Sequence, residues 1–161
     1  MSRYYPQDTE YFEKLYGYPS EDRMNKGAVA VIECNQCIPC NPCENACKKK
    51  AISVGFPITN LPKIEEDLCV GCGICVAACP GQSIRIIDKS GEVAKVAFPY
   101  EYVPLPIIGD LVDVRNRAGE IVGKGKIARI DSPKMYDHTN VVWVEVDKTL
   151  AKEVHSIGRK N

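Results

Sequence analysis

At 161 residues the chain is long enough for one ordinary domain, or for two small ones that share a core. Its 21 Lys and Arg balance 21 Asp and Glu, which excludes a global electrostatic pull toward nucleic acid or an anionic membrane. All nine cysteines lie between Cys34 and Cys79, too crowded for core filler, so they belong to one site or a pair.

The start, Met1-Ser-Arg-Tyr-Tyr-Pro-Gln-Asp8, carries neither a basic leader nor an apolar stretch. A secreted disulfide scaffold is therefore not expected, and the reducing cytoplasm is. No apolar run reaches the roughly 18–20 residues of a membrane helix, so no direct membrane insertion is expected. Residues 1–27 read as a polar N-terminal arm that holds Tyr4, Tyr5, Tyr11, Tyr16 and Tyr18, with one short helical candidate from Thr9 to Leu15. Such an arm either packs over its own domain or docks to a partner, tyrosine being favoured at interfaces.

Residues 28–98 contain an internal repeat with a constant offset of 32. The shift lays Cys37, Cys40, Cys43 and Cys47 on Cys69, Cys72, Cys75 and Cys79, and Ile32-Glu33 on Ile64-Glu65. It also lays Ala51-Ile52-Ser53-Val54 on Ser83-Ile84-Arg85-Ile86, so each half reads as strand, cysteine loop, short helix, strand. Cysteines at every third residue let a loop turn its sulfurs inward together. The spacing C-x-x-C-x-x-C-x-x-x-C, present twice, is the bacterial ferredoxin run, in which three thiolates bind the local cluster and the fourth reaches the other. The stretch Cys69-Val-Gly-Cys72-Gly-Ile-Cys75-Val-Ala-Ala-Cys79-Pro80 carries it most completely, and residues 28–98 resemble a two-cluster bacterial-type ferredoxin domain.

That resemblance implies two [4Fe–4S] clusters, one on Cys37, Cys40, Cys43 and Cys79, the other on Cys69, Cys72, Cys75 and Cys47. Gly71 and Gly73 suit a chain that wraps closely round an inorganic core, and Ile38, Ile52, Val70, Ile74 and Ile84 are expected to exclude water from it. The first run departs from the pattern. Pro39 and Pro42 remove backbone donors to cluster sulfur, which lowers a potential, while Lys48, Lys49 and Lys50 bring positive charge, which raises it. Cys34 extends the series backward and falls opposite Glu66 under the 32-residue shift, so it reads as a non-ligand. A shifted register on Cys34, Cys37 and Cys40 is the rival. Structural zinc is the bland alternative for the whole array.

From Phe98 the composition changes, with three prolines in Phe98-Pro-Tyr-Glu-Tyr-Val-Pro-Leu-Pro106 suggesting a stiff linker. Residues 99–161 are thus a linker and a small β domain. Its strands are expected at Leu111 to Val114, Ile121 to Ile130 and Val141 to Val146, with a hairpin turn at Asn116-Arg-Ala-Gly119 and a helical turn at Thr149 to Ser156. The fold class is α+β: a ferredoxin-like two-cluster domain with a pseudo-twofold repeat, plus a small C-terminal β-barrel or curled sheet. Gly119, Gly123 and Gly125 lack the context of a phosphate loop and read as turn and strand-kink residues. Trp143 reads as core or interface, and His138 and His155 as ordinary surface or partly buried residues.

Lys124, Lys126 and Arg129 form a basic strand face, but residues 100–161 hold ten Lys or Arg against nine Asp or Glu, so no nucleic-acid footprint is expected. No catalytic or dinucleotide motif appears, so the chain is expected to bind no small-molecule substrate of its own. Three functions remain: an electron-transfer subunit beside flavoprotein partners, a free ferredoxin carrier, or a non-redox interaction or nucleic-acid-binding protein with structural clusters. Neutral charge and long additions round the cysteine region favour the subunit, because a diffusing carrier is usually small and strongly charged. Glu33-Cys-Asn-Gln-Cys-Ile-Pro-Cys-Asn-Pro-Cys-Glu44 and the later Gly109-Asp-Leu-Val-Asp-Val-Arg115 resemble the small subunits of flavin-dependent amino-acid dehydrogenases of the proline, hydroxyproline or opine type. That resemblance implies a hetero-oligomeric complex in which the flavoprotein partner carries the substrate.

Overall fold

The computed structural model describes residues 8–158, so Tyr4 and Tyr5 of the arm lie outside the described residues. The rest of the arm forms α1 (Thr9–Glu13) and α2 (Glu21–Lys26), each opened by a side-chain cap, Asp8 for α1 and Ser20 for α2. Both helices pack on their own chain: Phe12 and Met24 are buried, and the Ile32 amide donates to the Gly17 carbonyl.

The repeat is visible in the elements that follow. β1 (Val29–Ile32), α3 (Pro42–Ala46) and β2 (Ile52–Ser53) form the first half; β3 (Lys63–Ile64), α4 (Ile74–Ala78) and β4 (Ile84–Asp88) form the second. The two helices are offset by the same 32 residues as the cysteines. Antiparallel pairing of β1 with β4 and of β2 with β3 laces the halves together.

Beyond β4 run β5 (Ala94–Tyr100), β6 (Leu111–Arg115), β7 (Ile121–Asp131), β8 (Asn140–Val146) and β9 (Ser156–Ile157). They do not make a sheet of their own. One seven-stranded sheet has the order β1-β4-β5-β8-β7-β6-β9, and β5 joins the halves by pairing with β4 on one side and β8 on the other. The sequence boundary at residues 98/99 falls inside β5, and the connection free of strand is residues 101–110. Register shifts at Val114/Arg115 and Ile127/Arg129 bulge the outer strands, a device that increases local twist. The Asn116–Gly119 turn closes on a Gly119 amide to Asn116 carbonyl bond of 3.0 Å. Gly125 is a close approach rather than a kink: an added Cβ would meet Val144 Cγ2 at 2.5 Å.

Alternation along the strands sorts the core into two layers. Val29, Val31, Ile87, Val96, Phe98, Val142 and Val144 share one with Met24 of α2 and with Ala151, Val154 and Ile157 near the C-terminus. Ala30, Ile32, Ile84, Ile86, Ala97, Val141 and Trp143 share the other with Cys43, Cys47 and Cys75. The sheet is therefore the floor on which the cysteine loops stand. The helical turn expected at Thr149 to Ser156 is a 3₁₀ turn at Lys148–Leu150, followed by β9.

Candidate metal centre

Two cavities collect the cysteines. The first is lined by Cys34, Cys40, Cys43 and Cys79, the second by Cys47, Cys69, Cys72 and Cys75. Each draws thiols from both halves of the repeat, because each short helix ends on a cysteine, Cys47 or Cys79, that faces the opposite loop. The second set matches the expected four. In the first, Cys34 stands in the lining and exposed Cys37 does not.

Walls and hydrogen bonds fit an inorganic sulfide core. Ile52 and Ile84 are buried beside the loops, and Ile38 and Val70, expected to shield them, line the first and second cavity respectively while remaining half-exposed. Backbone N–H groups already reach the sulfurs, Cys47 accepting from Ala51 at 3.3 Å, Cys79 from Ser83 at 3.4 Å and Cys69 from Ala30 at 3.4 Å. The first two repeat one contact at the 32-residue offset. Such donors stabilise thiolate and tune a cluster's potential. Burial pushes the Cys43 thiol up to about 11, with Cys79, Cys34 and Cys40 adding to it, and pushes the Cys75 thiol up further. As thiolates they need the positive charge that iron supplies. Among the described residues no three His, Cys, Asp or Glu side chains gather tightly enough for a single ion. A cubane, with one thiolate at each corner, asks instead for ligands spaced round a cavity.

Several supports have no local sequence signal. Arg23 of α2 donates to the carbonyls of Glu66 (2.8 Å), Gly27 (3.0 Å), Ala28 (3.1 Å) and Cys69 (2.6 Å), fastening the second loop to the arm. Tyr136 reaches in from the β7–β8 connection, and its hydroxyl donates to the Cys72 carbonyl at 2.6 Å. Burial, with help from Asp131, raises that phenol to about 12, so it stays a donor. Tyr136→Phe is expected to lower stability by about 0.5–1.5 kcal/mol, the worth of one such bond, read from parallel thermal melts of the iron-loaded chains. An unchanged melting temperature would show the contact to be idle. Trp143 is core, with its Nε1–H donating to Asp131 at 2.8 Å and the Arg129 guanidinium 4.4 Å over its ring.

The residue preceding Cys34 anchors a buried polar network. Glu33 accepts from Arg85 at 2.7 Å and from Arg117, and its Oε2 lies 2.8 Å from His155 Nε2. Burial opposes charge on Glu33, but Arg85 and His155 outweigh it and hold the carboxyl well below the usual range. His155 is partly buried and belongs to this network: burial and then Arg85 depress its basicity. Arg85 also donates to the carbonyls of Ala151, Lys152 and Val154, tying the C-terminal segment to β4. A charge set among Ile84, Ile86 and Ile87 was the signal for this network. His138 is exposed, with φ +73°.

Comparison with known proteins bears on this centre. Residues 62–85 match the model of the 4Fe-4S binding domain. The chain is 45% identical over 60 residues to the aliphatic sulfonate oxidoreductase polyferredoxin-like subunit of Pyrococcus furiosus, covering 37% of this chain and 34% of that one. It is 26% identical over 148 residues to Protein Pixie of Drosophila melanogaster, covering 79% of this chain and 24% of that one. Over 123 residues it is 28% identical to translation initiation factor RLI1 of Chaetomium thermophilum, covering 66% of this chain and 20% of that one. The chain thus spans between a fifth and about a third of the length of these relatives. No solved structure matches it. The region round Cys69–Cys79 is a ferredoxin-type [4Fe–4S] binding domain, and the likeness to a polyferredoxin-like subunit supports a role in electron transfer. Among the described residues no helix is long and apolar enough to cross a membrane.

Proposed function

We propose that the chain is the electron-transfer subunit of a multi-subunit flavoprotein oxidoreductase of the amino-acid or amine dehydrogenase type, carrying two [4Fe–4S] clusters. The observation that carries the two-cluster reading is the second cavity, where Cys47 of one half meets Cys69, Cys72 and Cys75 of the other. Cys40, Cys43 and Cys79, with one thiol from the segment before them, hold the first cluster in the same crosswise manner. When bound, such clusters supply one-electron redox chemistry. The protein's part is to fix them: Arg23 and Tyr136 clamp the loop carbonyls, backbone amides tune the sulfurs, and the sheet seals one side.

Support for a standing complex comes from the surface. Ile38, Phe56 and Ile58 are exposed apolar side chains on or beside the first loop, and Leu68 and Val70 on or beside the second. On the 101–110 connection Tyr102, Val103, Leu105, Ile107 and Ile108 are exposed as well. Apolar surface at the cofactor loops suits partners that stay docked more than brief charge-steered encounters. The Pyrococcus furiosus relative, a subunit of an oxidoreductase, points the same way.

A second reading has its own observation: the likeness to RLI1 and Protein Pixie extends over 66% and 79% of this chain, well past the cysteines. It makes the clusters structural parts of a module that works in a larger assembly. Purification of the chain with its natural neighbours, followed by flavin analysis and electron paramagnetic resonance during reductive titration, separates the two. A flavoprotein partner and clusters that reduce reversibly are expected. Clusters silent at every accessible potential, or a chain that elutes without a flavoprotein, would sink the subunit reading.

A further inference from the structure

The second half of the repeat shows what the path from Cys69 to Cys72 demands. Gly71 there has φ +64°, in the left-handed region that glycine enters freely, and Gly73 after it has φ +80°. Under the 32-residue shift Gly71 corresponds to Pro39, whose ring holds φ near −65°, and Gly73 to Asn41, at φ −144°. The segment from Cys37 to Cys40 is therefore barred from the course that brings Cys69 to its cavity.

A second contact fails at the same place. The Cys69 sulfur accepts the Ala30 amide at 3.4 Å, and the counterpart of Ala30 is Pro62, which has no N–H to give. The position equivalent to Cys69, namely Cys37, is thus deprived of both its loop path and its donor. Cys37 is exposed, as Cys72 is, but unlike Cys72 it lines neither cysteine cavity, while Cys34, three residues earlier, lines the first with Cys40, Cys43 and Cys79. Pro62 lines the same cavity.

Resting on the two-cluster reading above, we infer that the first [4Fe–4S] cluster is held by Cys34, Cys40, Cys43 and Cys79, and that Cys37 is a free, solvent-facing thiol beside it. The ligand spacing of the first run is then C-x5-C-x2-C, and the repeat holds for every ligand but one. This differs both from the plain ferredoxin register, which uses Cys37, and from the shifted register, which uses Cys37 alongside Cys34. The ninth cysteine is assigned by backbone chemistry: two prolines stand at the first site where the second site has a left-handed glycine and an amide donor.

The test begins on the iron-loaded wild-type chain kept under argon. Iodoacetamide is applied to the native protein, the chain is then denatured in acid, and N-ethylmaleimide labels the thiols released. Lys26 and Lys48 bound one tryptic peptide containing both cysteines, so fragmentation places each label. Iodoacetamide on Cys37 and maleimide on Cys34 is the expected pattern. The reverse pattern, or the same label on both, overturns the assignment. Cys37→Ser is further expected to retain all of its iron and sulfide, and Cys34→Ser to lose about half with one of the two reduced-cluster resonances. Retention by Cys34→Ser together with loss by Cys37→Ser also overturns it. Iron in the wild-type chain is read first: about eight per chain is expected for two cubanes, and about four would sink the two-cluster reading itself, apart from any labelling result.

Discussion

Arg85→Met is expected to destabilise the iron-loaded chain by about 3–5 kcal/mol, the cost of leaving one oxygen of a buried carboxylate unpaired while Arg117 and His155 keep the other. In a chain of this size that is a fall of roughly 6–20 °C in melting temperature. Arg85 and Glu33 are buried side by side at 2.7 Å, and three of the arginine's other contacts are carbonyls of residues 151–154. One substitution therefore removes an ion pair and releases the C-terminal segment. A companion, Glu33→Leu with Arg85→Met, is expected to recover part of the loss, because an apolar pair leaves no buried charge unmatched at that contact. The sign of the pH dependence follows from the same groups. Glu33 is depressed from its ordinary 4.5, so its contribution is complete above pH 4.5 and is lost progressively below it. His155, depressed from 6.5, is held neutral, so stability also falls as pH drops below 6.5 and the unfolded imidazole binds a proton first. Arg85→Met should flatten the acid limb below pH 4.5. A melting temperature within 2 °C of wild type, or an unchanged acid limb, would show that the network does not hold the fold.

The cysteine repeat was legible because its cause is local. Ligand spacing dictates loop and helix, so α3 and α4 follow the same 32-residue offset that the sulfurs obey. The strands of the C-terminal region were legible too, since β-branched residues in β6, β7 and β8 alternate between faces. The boundary at residue 98 rested on three prolines in nine residues, and the first of them, Pro99, lies within β5. In the sheet β4 pairs with β5 only as far as Ala97, so Pro99 sits past that ladder, where its missing N–H costs nothing on that side. Arg23 and Tyr136 were not legible at all. Their partners lie 46 and 64 residues away and are carbonyls, which any residue supplies. Cys34 lies between these extremes. Counting cysteines gave it no place, whereas comparing what Pro39 and Gly71 permit does.

Gly71→Ala should cost the second cluster, and its size can be separated into strain and collision. Strain at φ +64° is about 1–2 kcal/mol for an L side chain. Collision is larger: the new Cβ would lie 2.4 Å from Ala28 Cβ and 2.7 Å from the Ala28 carbonyl carbon and oxygen. Nothing there can swing aside, because Ala28 leads directly into β1 and its carbonyl accepts from Arg23. The loop between Cys69 and Cys72 must move instead, which pulls two thiolates away from Cys47 and Cys75. Loss of about half the iron is expected, with the reduced-cluster resonance of the second site missing and that of the first retained. Gly119→Ala supplies the control, since it has φ +84° but open space where the Cβ would go. It should carry the strain alone, lowering the melting temperature by a few degrees at full iron content. Equal iron in the two variants would mean that close approach at Gly71 is not what seats the second site. A larger loss in the Gly71 variant ties that site to the contact between its loop and Ala28, which Arg23 holds from the N-terminal arm.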